Sequence, residues 1–239
     1  MSYFQGFVIP VPEGEKVVYF DMARKVAPLF AEFGAIATVE CWEEDVPDGK
    51  HTDLRRAVNA EPGEKIVFSW IWWPDKATCD AAAEKMMADE RMKPDGPMPF
   101  DPQRMIYAGF ETAYDSGDVG RFGYVDAFVS AAPTEKRDTY GENAEALDAF
   151  FLREGALRTV DGWGADVPDG KVTDFKRAVA AEDGETVVFG WIEWPDKATR
   201  DAAFAKVMQD PEMQAIKPMF DMKRAIFGGF VPILDTAHQ

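Results

Sequence analysis

The sequence predicts an α+β fold in which two copies of one β-α-β-β-α-β unit, carried on a single chain, close a common barrel with their helices outside. Three observations predict it. First, the 239-residue chain repeats itself: Trp42 and Trp163, the two VPDGK stretches at Val46 and Val167, Trp70 and Trp191, and the WPDKAT stretches at Trp73 and Trp194 all lie 121 positions apart. One residue then drops out, and Arg104/Arg224 and Phe110/Phe230 keep a spacing of 120. Second, β-rich runs and amphipathic segments follow in the same order in both copies. Third, 46% hydrophobic and 29% charged residues, with 18 Phe and 7 Trp, describe a chain able to bury a large core.

The elements of the first copy follow in order. Residues 3–9 are apolar and β-rich, a strand ended by Pro10 and Pro12. Across residues 13–33, Val18, Met22, Val26, Leu29, Phe30 and Phe33 recur at helical spacing, with Gly34 as terminator and Pro28 as an expected kink. Residues 36–43 alternate as a strand. Val46-Pro47-Asp48-Gly49-Lys50 is turn chemistry, because Pro presets φ, Asp bonds its own backbone and Gly accepts positive φ. Residues 52–58 read as a short strand returning from that turn, and residues 61–64 as another turn. Residues 65–73 form a strong strand. Asp75 then caps a helix over residues 76–89 in which Met86 and Met87 fill core. A Pro/Met-rich connection over 94–102 leads to a last strand over 104–110.

That order is the ferredoxin-like pattern, which places both helices on one face of the sheet. A lone unit would leave the other apolar face bare, so two units in one chain are expected to cover each other as an intramolecular dimeric α+β barrel. The expected division is a first repeat over 1–112, a second over 121–235, and a linker over 113–120 rich in turn formers.

Composition also excludes functional classes. With 26 Lys/Arg against 43 Asp/Glu the formal charge is −17, which repels phosphate backbones and anionic lipid, so neither nucleic acid nor membrane is an expected partner. No apolar run of about 18 residues occurs, and the start lacks the pattern of a signal peptide. Cys41 and Cys79 give no disulfide framework, so a reducing cytoplasm is the expected location. The two histidines, His51 and His238, are too few for a zinc site, and His51 reads as a solvated turn residue. No phosphate loop or Gly-x-Gly-x-x-Gly occurs, so no metal and no cofactor is expected.

The stretches YFQGFVIPVP (3–12), ECWEEDVPDGK (40–50), TDLRRAV (52–58), FSWIWWPDKA (68–77) and MPFDPQRMIYAGF (98–110) resemble the YbaA-like domain of unknown function. The resemblance covers essentially all of both halves. It implies a dimeric α+β barrel related to small monooxygenases, isomerases and stress-response barrels. Members of that family are mostly single units, and this chain looks like two fused. The second copy departs from the pattern with Asp126-Ala127 in place of Gln5-Gly6 and Ala131-Ala132 in place of Pro10-Val11. The family has no settled activity, so the resemblance carries over no catalytic residue.

Strand alternation assigns faces. Thr38, Glu40 and Trp42 share one, as do Thr159, Asp161 and Trp163. Phe68 goes with Trp70, Phe189 with Trp191, Arg104 with Ile106 and Arg224 with Ile226. The opposite faces carry Cys41/Gly162, Ser69/Gly190 and Gly109/Gly229, small enough for helices to pack close. The larger set is therefore expected to point between the sheets. The candidate pocket is Glu40, Trp42, Trp70, Arg104, Asp161, Trp163, Trp191 and Arg224. A carboxylate desolvated beside Trp could act as a base, and an Arg could hold an anionic oxygen. The plainer reading makes each acid and Arg a structural ion pair and the Trps core.

Two functions follow. One is a small-molecule binder or stress-associated scaffold. The alternative is a cofactor-free enzyme, monooxygenase- or isomerase-like, acting on a small carbonyl-bearing molecule in the barrel. A cavity of about 300 Å³ or more faced by an unpaired Glu40 or Asp161 would favour the enzyme, and a filled barrel the binder. The partners expected are a small-molecule ligand and the chain's own second half, with further self-association left open.

Overall fold

The structure, a computed structural model, describes residues 2–94 and 96–238. The first lobe runs β1 (Tyr3–Pro12), α1 (Lys16–Glu32), β2 (Ala37–Asp45), α2 (Leu54–Ala57), β3 (Glu64–Trp73), α3 (Lys76–Ala88) and β4 (Ile106–Gly117). The second runs β5 (Tyr124–Pro133), α4 (Arg137–Arg153), β6 (Arg158–Asp166), α5 (Phe175–Ala178), β7 (Glu185–Trp194), α6 (Lys197–Val207), α7 (Pro211–Ala215) and β8 (Ile226–Asp235). The strands form one closed antiparallel barrel in the order β1-β3-β2-β8-β5-β7-β6-β4. Each lobe contributes its strands in the order 4-1-3-2, and the lobes are sewn together by β2 against β8 and β4 against β6. Closure leaves no free sheet edge. No helix among the described residues is long and apolar enough to cross a membrane.

The interior is filled by aromatic rings from both lobes. Trp70 stacks on Trp191 at 4.3 Å between centroids, and Phe68 on Phe189 at 4.5 Å. Gly162 yields its space to the Phe4 ring of the other lobe, and Gly6 to that of Phe189. At one end the Arg158 guanidinium lies 4.6 Å from the Trp72 ring of the opposite lobe. The other end is plugged by α2 and α5, which exchange reciprocal bonds: Thr52 Oγ1 donates to the Ala178 carbonyl and Thr173 Oγ1 to that of Ala57, each at 2.6 Å.

Three expectations change. Residues 52–58 hold a helical turn rather than a strand. Asp53 caps it, accepting from the Arg56 amide at 2.8 Å and the Gly49 amide at 3.1 Å, and Leu54, Ala57 and Val58 bury one helical face. β4 runs on to Gly117, through much of the segment expected to link the lobes, because its second half pairs with β6 as far as Gly117 opposite Arg158. Met87 is exposed, whereas Met86 packs against the sheet. Asp75 caps its helix as expected, accepting from the Thr78 amide, and Asp196 does the same in the second lobe, accepting from the Thr199 amide.

Candidate functional site

Closure of the barrel decides which sheet face meets the helices. On β2, Val39 and Cys41 point inward, so Glu40 and Trp42 face outward under α1; on β6, Val160 points inward and Asp161 and Trp163 face α4. This reverses the orientation expected for Glu40, Trp42, Asp161 and Trp163. The physical reason is volume: the interior is already occupied by rings such as Phe4 and Phe189, so the small Cys41 and Gly162 face it. For β3 and β7 the expected orientation is the observed one, with Phe68, Trp70, Phe189 and Trp191 inside.

In the first lobe, α1 touches the sheet through Tyr19, Ala23 and Ala27, which are buried. The larger Met22, Val26 and Phe30 stay half-buried and line the gap left beside them. That gap is a cavity of about 1060 Å³, walled also by Phe7, Ile9, Ile71, Met98 and Phe100. Glu40 forms its polar floor. The Tyr19 hydroxyl donates to Glu40 Oε2 at 2.7 Å, and Ser69, directly across the ladder, also hydrogen-bonds the carboxylate. Burial pushes the Glu40 carboxyl up from 4.5 to about 7, with the Tyr19 and Ser69 hydroxyls pulling the other way. Arg104 reaches the rim just before β4 but is bidentate on Glu64 at 2.6 and 2.7 Å and donates to the Asn59 carbonyl at 3.0 Å. The ion pair anticipated between Glu40 and Arg104 is not formed; Arg104 takes Glu64 instead, while Glu40 accepts the Tyr19 hydroxyl.

The second lobe repeats the plan with changed groups. Its cavity, about 660 Å³, is lined by Phe128, Leu147, Phe151, Ile192, Phe204 and Phe220 among others, with Asp161 on its wall. The Tyr140 hydroxyl donates to Asp161 Oδ1 at 2.8 Å, and burial raises the Asp161 carboxyl to about 6. Asp126 and Arg200 pair at 2.7 Å on the same wall.

Of the candidate residues, the structure therefore brings Glu40 and Arg104 to one cavity and Asp161 to another. Trp70 and Trp191 are interior packing. Trp42 lies beneath Lys16 and Trp163 beneath Arg137, each in a cluster with the nearby tyrosine. Arg224 is bidentate on Glu185, at 2.7 and 2.8 Å, and does not line the second cavity. Sequence reasoning missed Tyr19, Ser69, Tyr140 and Asp148. A signal existed for the tyrosines: each precedes its acid by 21 positions in both copies. His51 is exposed, and no metal-binding group of His, Cys, Asp and Glu occurs among the described residues.

Comparison with known proteins places this geometry. Residues 2–102 and 123–222 each match the model of the protein family of unknown function DUF1428. The uncharacterized protein YbaA of Escherichia coli K12 is 59% identical over 116 residues, which cover 48% of this chain and 99% of YbaA; a Shigella flexneri protein of the same name gives the same figures. Among solved structures, an anthrone oxidase-like protein aligns over 100% of this chain and 94% of its own, at TM-score 0.59 and 14% identity. A putative monooxygenase from Lactobacillus acidophilus aligns over 99% and 97%, at TM-score 0.58 and 9% identity. At such identities the likeness is one of fold, the α+β barrel.

Proposed function

Starting from the membership of this chain in the DUF1428 family, whose two consecutive copies make up its lobes, we propose that it binds a small, largely apolar, carbonyl-bearing molecule in the first-lobe cavity, with Glu40 as the proton acceptor. The observation that carries this reading is a buried carboxyl without a cationic partner among the described residues, raised by burial to about 7, at the floor of a largely apolar cavity of about 1060 Å³ whose charged residues sit toward its rim. A general base works best when its pKa lies near the working pH. Transfer of a weakly acidic C–H or O–H proton to Glu40 would leave an enolate-like anion beside the Tyr19 hydroxyl. Two fold neighbours are described as putative monooxygenases and one as anthrone oxidase-like, which supports the enzyme reading by analogy alone. The ferredoxin-like character of each lobe, a cytoplasmic location and a partner set without nucleic acid or membrane belong to the same reading, supported by the 4-1-3-2 strand order and the charge of −17.

A second reading, a binder without turnover, is favoured by two observations: the barrel interior is filled by aromatic rings, and Glu40 already accepts the Tyr19 hydroxyl, as a structural carboxylate would. A thermal-shift screen of the intact chain against small carbonyl compounds, followed by Glu40→Gln, separates the two. Loss of turnover with retained binding supports the base. Binding without turnover by the unaltered chain leaves the binder, and hits indifferent to Glu40→Gln defeat the assignment of this cavity.

A further inference from the structure

The second lobe is not a chemical copy of the first. At matching positions Asp148 stands where the first lobe has Ala27, and Gly190 where it has Ser69. Asp161 thereby loses a hydroxyl donor and gains a second carboxyl within hydrogen-bonding reach. Asp148 projects from α4 and is more than nine-tenths buried, yet its Oδ2 has no hydrogen-bond partner among the described residues. Two adjacent carboxyls in an apolar wall cannot both ionise, so they hold one proton between them and one negative charge.

Among the described residues, no cation on the cavity wall is left to answer that charge. Arg200, the guanidinium there, is held by both oxygens of Asp126 at 2.8 and 2.9 Å. Tyr140 donates to Asp161 at 2.8 Å and Asn143 is tied to the Lys217 carbonyl and the Met219 amide. The rest of the lining is mostly apolar, with Leu147, Phe151, Ile192, Phe204 and Phe220 among it, and also includes Gln214 and, at the exposed end, Asp45, which faces Lys197 at 3.9 Å. A buried net charge is stable only when paired, and a largely apolar cavity with one unanswered buried charge selects a cation with an apolar body.

We propose that the second-lobe cavity is a separate binding site for an organic ammonium ion, with the ammonium against the Asp148–Asp161 pair and the hydrocarbon against the aromatic wall. It is independent of the reading of Glu40, which lies in the other lobe. A neutral isostere would lack the charge pairing, and a carboxylate-bearing ligand would be repelled.

The test is calorimetric titration of the intact chain with 2-phenylethylamine, 2-phenylethanol and phenylacetate, three probes of one shape and different charge. The amine should bind at least tenfold more tightly than the alcohol, and phenylacetate least. Because Asp161 alone can still carry the charge, Asp148→Ala, which installs the residue the first lobe already carries, should keep a preference for amine, whereas Asp148→Ala combined with Asp161→Asn should abolish it while leaving the alcohol unchanged; Asp148→Asn with Asp161→Asn serves if that variant does not fold. Glu40→Gln should leave amine affinity intact. Equal affinity for amine and alcohol, no amine binding, amine binding indifferent to the double variant, or its loss in Glu40→Gln instead, would each overturn the proposal.

Discussion

Replacing Glu40 by Gln should stabilise the protein at alkaline pH and remove part of its pH dependence. The Glu40 carboxyl is raised in the fold from 4.5 to about 7, so the folded state binds the proton more tightly than the unfolded one. Its stability contribution is therefore intact below pH 4.5 and declines as pH rises toward 7, the reverse of an ion-paired carboxylate. At about 1.4 kcal/mol per pH unit, the full effect is roughly 3 kcal/mol above pH 7, of which about 2.5 kcal/mol develops between pH 5 and pH 8. Gln is neutral throughout and still offers an oxygen to the Tyr19 hydroxyl, so the hydrogen bond at 2.7 Å has a successor. Urea unfolding of both proteins at pH 5 and pH 8 measures the difference. Asp161 and Glu193, raised to about 6 and about 7, titrate in the same window but cancel in the comparison. The variant should gain about 2.5 kcal/mol relative to the parent between the two pH values, and at pH 8 melt about 5–10 °C higher. A stability difference that stays flat with pH, within about 0.5 kcal/mol, would refute the account of Glu40 as a buried, half-protonated group.

Other outcomes follow from the packing. Arg104→Ala should cost about 2 kcal/mol in urea unfolding, because it strands Glu64, whose carboxyl the guanidinium holds below its usual range; an unchanged midpoint would mean that the rim pair contributes nothing. Trp191→Leu should cost about 3 kcal/mol and flatten the near-ultraviolet circular dichroism, since it removes the stack on Trp70 and the indole donor to Glu193; a retained aromatic signal would contradict the stacked geometry. Gly162→Val should cost about 2 kcal/mol, since the Phe4 ring occupies the space of the new side chain; a neutral effect would show that the interior is loose.

The repeat, the order of elements in each lobe and the family were legible in the sequence. So were the inward rings of β3 and β7, since Phe68 and Trp70 oppose the small Ser69 and a large ring beside a small residue marks the core face. Alternation also paired Glu40 with Trp42, and Asp161 with Trp163, on shared faces. It could not say which face was inside, because a period of two fixes relative orientation only. On β2 both faces are apolar enough to be core, Val39 and Cys41 on one and Trp42 on the other, and the decision fell to the rings that close the barrel from the other lobe. Tertiary structure alone likewise chose Glu64 as the partner of Arg104, opened a cavity where α1 packs through alanines, and set Asp148 beside Asp161 from a helix and a strand. Such meetings depend on helix placement over a closed sheet, a long-range packing property that no local pattern of residues encodes.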